Sequence, residues 1–427
     1  MKVLLLGNGG REHALAWALS QSPLCDTLYI APGNPGSHAC GVNVALDALD
    51  FEQVLEFIGD KDIGLTVVGP EQPLVAGITD FLEAKGHAVF GPSTIASQLE
   101  GSKQFAKDFM ARHNIPTAAY KVFSGDYYAE ALAYVDAHNQ YPVVLKADGL
   151  AGGKGVLIPE NREELLAGLE ELRTGSLQDA AQTLVIEEFM PGEEASVFAL
   201  CDGEHFEIMG TAQDHKRQLD GDKGPNTGGM GAYSPSPLLA EDMLNSVSET
   251  IIAPTIAGMA AEGNPYKGFL YVGLMMTSAG PKVVEYNCRF GDPECQVVIP
   301  RLRSDLLTHL VQSTRGELLG EDIVFDQQYR TTVVLVSGGY PVSYDKGFPI
   351  FGLDELEKVE AVQVFHAGTK DQDGQLCTAG GRVLNVVGTG STLQESISMA
   401  YKGLESISFE GMFYRKDIGA KGLNHVS

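Results

Sequence analysis

The chain has 427 residues, of which 44% are hydrophobic and 20% charged, so it predicts a globular protein of two to four domains at roughly 100–200 residues each. Its 56 acidic and 30 basic residues give a net charge of −26, which repels nucleic acid and anionic lipid, so we expect neither as a partner. The six cysteines form no C-x-x-C pair and no run approaches the ~18 apolar residues of a membrane span, so we expect reduced thiols in a cytoplasmic protein.

The first hundred residues predict a doubly wound α/β domain. Short apolar strands are predicted at Val3–Leu6, Thr27–Ala31, Ile63–Val68 and Ala88–Phe90, and a helix at Arg11–Ser20 follows the first strand. Each strand ends in a turn rich in glycine and proline. Ligands of parallel sheets bind beyond the carboxyl ends of the strands, so these turns predict a binding edge.

The first of these turns, Gly7-x-Gly9-Gly10, lacks the third glycine of a dinucleotide-binding fingerprint, because Glu12 stands in that place. A phosphate could lie at the start of the helix that follows, where backbone N–H groups are free. A tight turn without a ligand explains the same residues equally well.

From about residue 101 the pattern changes to α+β. We predict helices at Ser102–His113 and Arg162–Arg173, and a hairpin between the strands Thr183–Phe189 and Glu194–Leu200. Two further strands, Pro142–Lys146 and Val156–Ile158, flank a glycine loop. The C-terminal part predicts a small mixed β domain from the following elements: strands at Thr331–Val336, Ala361–His366 and Gly381–Val387, and a helix near Thr392–Ser406.

The glycine loop at 149–155 is similar to a P-loop but fails as one, because Asp148 and Gly155 replace the first glycine and the final Ser or Thr. A glycine hairpin that carries Lys154 can still cover a polyphosphate, with Lys146 as a second cation. A surface hairpin without a ligand remains the alternative.

Two strand ends carry further candidates for nucleotide and metal binding. Glu187-Glu188-Phe189 offers hydrogen-bond acceptors and an aromatic surface for a nucleotide, although a polar strand edge has the same composition. Glu285, Asn287 and Arg289 alternate along one strand face. A carboxylate and an amide oxygen suit Mg²⁺, and an arginine suits a phosphoryl group, but a solvated strand face is the alternative.

These segments, in this order, resemble an ATP-grasp domain. Five longer motifs and two in the last part resemble the phosphoribosylamine–glycine ligase family: residues 7–13, 69–74, 213–217, 224–231 and 287–294, then 366–369 and 380–383. The resemblance implies a doubly wound N-terminal domain at residues 1–100 and an ATP-grasp domain at 101–325, with a lid at about 121–190. It also implies a small C-terminal mixed β domain at 326–427.

The resemblance further implies an ATP-dependent ligase of purine biosynthesis, which joins glycine to phosphoribosylamine through an acyl phosphate. It implies ATP contacts at Lys103, Lys146, Gly152, Gly153, Lys154, Glu187, Glu188, Phe189 and Glu194. It implies magnesium, or manganese, at Glu285 and Asn287. It implies contacts with the ribose phosphate at Gly9, Gly10, Gly33, Asn34, Glu71, Gln72 and Pro73. It implies catalytic contacts with glycine and the transferred phosphoryl group at Asp214, Lys216, Arg289 and Asp292. We expect a monomer or weak homodimer.

Three other functions remain to be weighed against this one. A related ATP-grasp carboxylase or formate-using ligase would share the middle domain but need different turns in the first. An ATP sensor without turnover would have no need of Arg289 beside Glu285 and Asn287. A nicotinamide dehydrogenase is disfavoured by Glu12.

Overall fold

The structure is a computed structural model that describes residues 1–150, 155–175, 182–318, 323–356 and 359–426. The predicted ATP contacts Gly152, Gly153 and Lys154 lie outside the described residues. Among the described residues, no helix combines the length and the apolar character that crossing a bilayer requires.

The N-terminal part is built on a five-stranded parallel sheet with the spatial order β3-β2-β1-β4-β5. Its strands are β1 (Lys2–Gly7), β2 (Thr27–Pro32), β3 (Val42–Asn43), β4 (Leu65–Val68) and β5 (Val89–Phe90). Its helices are α1 (Gly10–Leu19), α2 (Phe51–Lys61), α3 (Glu71–Ala76), α4 (Ile78–Glu83) and α5 (Gln98–Gly101). Because β1 pairs in parallel with both β2 and β4, the chain winds outward in both directions, and the doubly wound prediction is confirmed.

Helix α6 (Lys103–Arg112) leads into a separate four-stranded antiparallel sheet with the order β6-β9-β7-β8. Its elements are β6 (Tyr120–Ser124), α7 (Tyr128–His138), β7 (Val143–Ala147), β8 (Val156–Leu157), α8 (Arg162–Thr174) and β9 (Thr183–Glu188). The two helices cover this sheet with a core of their own, which includes Phe123, Leu165 and Ile186. The sheet spans the segment predicted as a lid.

An eight-stranded sheet runs through the rest of the chain in the order β16-β15-β10-β11-β14-β17-β21-β18. The first elements of this part are β10 (Glu193–Asp202), β11 (Phe206–Asp214), β12 (Arg217–Leu219), β13 (Lys223–Asn226), β14 (Gly231–Ser234), α9 (Glu241–Val247), α10 (Ala253–Ala261), β15 (Lys267–Thr277), β16 (Gly280–Asn287), α11 (Cys295–Val298) and α12 (Leu306–Arg315). The later elements are β17 (Tyr329–Val336), α13 (Leu353–Leu356), β18 (Val362–His366), β19 (Thr369–Gln372), β20 (Gln375–Thr378), β21 (Arg382–Gly390) and α14 (Leu393–Leu404). Because β14 pairs with β17, this one sheet joins the middle and C-terminal parts of the chain.

The predicted hairpin between β9 and β10 is wrong. Strand β9 pairs with β6 and β7, whereas β10 pairs with β11 and β15 in the other sheet. The apolar residues of β9, Leu184 and Ile186, are buried in the core beneath α7 and α8. Alternation showed correctly that both segments are strands, but it carries no information about which sheet each one joins.

Helix α1 packs tightly against α11 and β21 through its first residue. A methyl group on Gly10 would collide with the amide groups of Gln296 in α11 and Asn385 in β21. Gln296 and Asn385 are both buried, so neither side chain can swing into solvent. This close approach accounts for a glycine at position 10 without any ligand.

We predict that Gly10→Ala lowers the free energy of unfolding by about 1–3 kcal/mol, the usual cost of overpacking a core. Gly59→Ala is the matched control, because Gly59 lies on the exposed side of α2 with no atom within 4 Å of the added methyl. The control should raise stability by about 1 kcal/mol through helix propensity. Urea unfolding of both variants tests this, and equal stability of the two would contradict the packing argument.

Candidate active site

A buried carboxylate between two lysines lies where the four-stranded sheet meets the eight-stranded sheet. Glu187 Oε2 lies 3.0 Å from Lys107 Nζ in α6, and its Oε1 lies 2.9 Å from Lys146 Nζ in β7. All three side chains are at least nine-tenths buried. Lys146 also donates to the Val284 carbonyl over 3.1 Å, which ties β7 to β16. One anion against two cations leaves a net positive charge, which suits a phosphate-binding floor.

A second ionic cluster joins the ends of β10, β11 and β16. Lys216 Nζ lies 2.7 Å from Glu194 Oε2 and 3.4 Å from Glu285 Oε1. Burial alone would raise the pKa of Glu285, but Lys216, Lys146 and Lys103 outweigh it and lower the pKa to about 2. Glu285 is therefore ionised at neutral pH, as a metal ligand must be.

The Glu285 carboxylate and the Asn287 amide fit a hard divalent cation. Mg²⁺ usually takes one or two protein oxygens and completes its shell with phosphates and water. In the orientation that satisfies both ends of the Asn287 amide, its nitrogen donates to the Tyr286 carbonyl and the Glu100 carboxylate, and its oxygen accepts from Arg289. That oxygen keeps a second lone pair for a ligand. The described residues hold no cluster of three or more His, Cys, Asp or Glu side chains suited to a metal.

Arg289 is held by two carboxylates. Its Nη2 lies 2.7 Å from Glu100 Oε1, and its Nε lies 3.2 Å from Glu71 Oε2. Burial would raise the pKa of Glu71, but Arg289 and Arg11 lower it to about 2. Arg289 and Glu71, which are predicted to contact different substrates, thus form one ion pair.

Asp214 and Asp292 occupy different surroundings. Burial raises the pKa of Asp214 at the end of β11 to about 6, with Lys216 opposing the shift. Burial acts the same way on Asp292, yet Arg382 and Arg11 hold its pKa below the usual value. Asp292 Oδ1 accepts a 2.8 Å hydrogen bond from Gln296 near the start of α1. No sequence pattern distinguishes these two aspartates in this way.

The predicted turns of the first domain meet the C-terminal part. Asn34 is buried, and its Nδ2 donates over 2.9 Å both to the Asn8 carbonyl and to the His366 carbonyl. The Gly9 amide donates to Glu12 over 2.7 Å, and Gly33 needs its positive φ of 71° for the turn. In α3, Gln72 is exposed and Pro73 is buried. Much of the hydrogen bonding of these turns is thus used within the protein.

The remaining predicted ATP contacts lie at the start of α6 and at the end of β9. Lys103 Nζ donates to the Gly149 carbonyl over 3.2 Å, and burial lowers its pKa. Phe189 is 39% exposed, as an aromatic surface for a base must be. Glu188 accepts from the Ala119 amide over 3.0 Å and pairs with Lys282. It is the outward-facing neighbour of buried Glu187.

Sequence reasoning missed several residues that complete the site. Lys107 and Glu100 bind predicted site residues but belong to no motif that was singled out for its chemistry. Arg382 donates to the main-chain oxygens of Gly228 and Asp292. It lies in a stretch that carried the family resemblance, so that motif could have pointed to it.

Three family models together match most of the chain. The model of the phosphoribosylglycinamide synthetase N domain matches residues 1–100, that of its ATP-grasp (A) domain residues 101–295, and that of its C domain residues 330–421. The chain belongs to the phosphoribosylglycinamide synthetase family. It is similar to phosphoribosylamine–glycine ligase of Yersinia pestis, with 50% identity over 99% of both chains. The enzyme of the same name from Mesorhizobium japonicum is 52% identical over 98% of both chains.

Solved structures agree with this family. The crystal structure of phosphoribosylamine–glycine ligase from Thermotoga maritima matches with a TM-score of 0.85 and 36% identity, over 98% of this chain and 100% of that chain. Biotin carboxylase from Campylobacter jejuni matches with a TM-score of 0.71 but only 16% identity, over 96% of this chain and 92% of that chain. The second likeness shows a shared fold alone.

We predict that Glu187→Gln lowers the free energy of unfolding by about 3–5 kcal/mol, because it leaves two buried lysines without their counter-charge. Glu188→Gln is the matched control on the next residue of β9. Glu188 is 42% exposed and pairs with Lys282 at 3.3 Å, so its loss should cost under about 1 kcal/mol. Denaturant unfolding measures the stability of both variants, and equal losses would contradict the pairing of Glu187 with two buried lysines.

We also predict that the stabilising effect of Glu71 depends on pH. Its folded pKa of about 2 lies below the ordinary value of 4.5, so its contribution is present above about pH 4.5 and is lost as pH falls toward 2. Glu71→Gln should therefore differ most from the parent chain at pH 7 and little near pH 2.5. Glu56→Gln, on the exposed side of α2, is the control and should change little at either pH. A gap between parent and Glu71→Gln that stays constant across this range would refute the prediction.

Proposed function

We propose that this chain joins glycine to 5-phosphoribosylamine with ATP, giving glycinamide ribonucleotide, ADP and phosphate in de novo purine biosynthesis. The observation that carries the proposal is the identity of about half of all residues to phosphoribosylamine–glycine ligases along 98–99% of both chains. The turns of the first domain match as well as the ATP-grasp part. The related carboxylase is therefore disfavoured, because it requires different turns.

The proposed chemistry activates the glycine carboxylate in two balanced steps. A carboxylate oxygen attacks the γ-phosphorus of ATP, the bond to the bridging oxygen breaks, and ADP leaves. The amine nitrogen of phosphoribosylamine then attacks the carbonyl carbon of glycyl phosphate, phosphate leaves, and the nitrogen loses a proton. Such a route needs positioned substrates and cations rather than a nucleophilic side chain.

In this proposal the phosphates of ATP bind beside lysine side chains. Lys103 and Lys146 neutralise phosphate charge. Glu187 forms an ion pair with Lys146, and Lys107 keeps the net charge of this cluster of three residues positive. Phe189 and Glu188 at the end of β9, together with Glu194 near the start of β10, are proposed to form the base and ribose side. Gly152, Gly153 and Lys154 are assigned the covering role by resemblance only.

We propose Mg²⁺, with Mn²⁺ as a substitute, at Glu285 and Asn287. When bound, the ion would polarise the phosphoryl oxygens and offset the charge that develops during transfer. Glu285 is ionised because of its lysine neighbours, and Lys216 keeps its carboxylate oriented from the side of Glu194. These observations support the assignment through the chemistry of the donors.

The amine and glycine sites complete the proposal. Gly9, Gly10, Gly33, Asn34, Glu71, Gln72 and Pro73 are proposed to form the ribose phosphate side, and Asp214, Lys216, Arg289 and Asp292 the glycine and phosphoryl side. Support comes from the ion pair between Arg289 and Glu71, which joins the two sides. The Nε and one Nη2 hydrogen of Arg289 are used by its two carboxylates, and Nη1 donates to the Phe290 carbonyl and the Asn287 amide oxygen. Arg289 is proposed to act on a phosphoryl oxygen through its second Nη2 hydrogen.

Several coarser assignments belong to the same proposal. We propose domains at residues 1–100, 101–325 and 326–427, with a lid at about 121–190 that closes over ATP. We also propose a cytoplasmic monomer or weak homodimer that binds neither nucleic acid nor membrane, in keeping with a net charge of −26.

The proposed route predicts that phosphate is released from ATP only when both glycine and phosphoribosylamine are present. With glycine labelled by ¹⁸O in its carboxylate, one label should pass to the released phosphate, because that oxygen bridges carbon and phosphorus in glycyl phosphate. Mass spectrometry of the phosphate measures the transfer.

Glu285→Ala should lower the turnover by orders of magnitude, since it removes a charge that acts in the transition state.

Two outcomes would overturn parts of this proposal. Unlabelled phosphate, or AMP with pyrophosphate, would exclude the glycyl phosphate route. Turnover with bicarbonate or formate in place of glycine would move the chain to another ATP-grasp activity. Glu262→Gln, which breaks an exposed ion pair with Arg112, is a control that should leave the turnover unchanged.

A further inference from the structure

Glu100 gathers four donors from three consecutive residues. Its Oε2 accepts from the Cys288 amide over 2.8 Å and from the Cys288 thiol over 3.2 Å. Its Oε1 accepts from Arg289 Nη2 over 2.7 Å and from the Asn287 amide nitrogen over 3.3 Å. A carboxylate has about four lone-pair sites, so these donors fill them all.

Glu100 is far in the sequence from the residues that it binds. It lies on α5, where the family's N-domain model ends, and its partners are nearly 190 residues away at the end of β16. The three partners include the proposed metal ligand Asn287 and the proposed phosphoryl contact Arg289. Cys288 between them is fixed by its main chain. Glu100 therefore holds both functional side chains in one orientation relative to the first domain.

We propose that Glu100 is a positioning residue of the ligase, which sets the Asn287 amide oxygen toward the metal and the Arg289 guanidinium toward the transferred phosphoryl group. This inference rests on the proposed function. It assigns Glu100 no contact with substrate or metal, because all of its lone pairs face the protein.

The Asn287 amide shows why such a residue is needed. An amide can bind a cation only through its oxygen, and a half-turn of the side chain would present the nitrogen instead. Glu100 and the Tyr286 carbonyl accept from the nitrogen, while Arg289 donates to the oxygen. A glutamine at position 100 would keep the shape of the site. It would also place an N–H₂ group opposite donors, so it should loosen this orientation without removing any metal ligand.

The test compares Glu100→Gln with the parent enzyme in two measurements. Partners behind metal ligands typically contribute 10–100-fold to affinity or activity, so we expect kcat to fall and the Mn²⁺ dissociation constant to rise by about that factor. Mn²⁺ binding to the full chain with ADP is followed by electron paramagnetic resonance of the free ion. The KM for ATP should change much less, since Lys103 and Lys146 are untouched.

The matched control is Asp326→Asn. Asp326 is 12% exposed against 8% for Glu100, and it also pairs with arginines, at 2.9 Å from Arg330 and 2.6 Å from Arg303. It lies outside the proposed site, so its loss should lower stability while kcat and Mn²⁺ binding stay at parent values.

Glu100→Asp is the second variant. It keeps the charge beside Arg289 but retracts the carboxylate, and we expect a change in the same direction.

The outcomes separate the two hypotheses. Parent-like kcat and Mn²⁺ binding in both folded Glu100 variants, with only stability reduced, would overturn the positioning role. Weakened Mn²⁺ binding in the variants supports it, and this measurement does not require ligase activity. Failure of the parent enzyme to form glycinamide ribonucleotide would overturn the proposed function instead.

Discussion

The half-buried guanidinium of Arg289, with its carboxylate partners, is the interaction on which the site geometry depends. It receives Glu71 from α3 and Glu100 from α5, both in the first α/β part, so three segments of the chain meet at one charge. Burying an ion is costly unless it is paired and hydrogen-bonded, and two carboxylates meet that condition. Any movement of the first domain away from β16 would expose or unpair one of these charges. The turns that are proposed to hold the amine are thus fixed relative to the residues that are proposed to activate glycine.

Short apolar runs were enough to locate four of the five strands of the first sheet, whereas the long strands β11 and β15 were not predicted. β1, β2, β4 and β5 follow the predicted segments within one or two residues, because each is a short apolar run ended by glycine or proline. β3 was missed because Val42–Asn43 contains a single apolar residue, whereas β5, which is as short, is entirely apolar. The pairing of β9 was wrong for a different reason. Which sheet a strand joins depends on the helices that cover it, and α7 and α8 bury β9 within the four-stranded sheet.

The site could be predicted only where its residues are clustered in the sequence. Lys146, Glu187 and Glu285 stand at the ends of apolar strands beside glycine or aromatic residues, and this context drew attention to them. Glu100 and Lys107 lie on helices with no such context, yet their carboxylate and ammonium groups hold the predicted residues in place. Spacing along the chain describes local geometry alone. A contact such as that between Glu100 and Arg289, 189 residues apart, follows from the tertiary fold.

The net charge of the chain determines how the proposed site must attract a nucleotide. A net charge of −26 repels a nucleoside triphosphate at long range, so affinity for one must arise from cations close to the site. The chain gathers Lys103, Lys107, Lys146 and Lys216 there, and burial with mutual repulsion lowers the pKa of Lys107 to about 8. Phosphate oxygens placed among these lysines would oppose both effects and favour their charged forms. The same lysines keep Glu285 ionised for a cation. The positive charge around Glu187 can therefore serve the nucleotide, while the ionised Glu285 serves the metal ion.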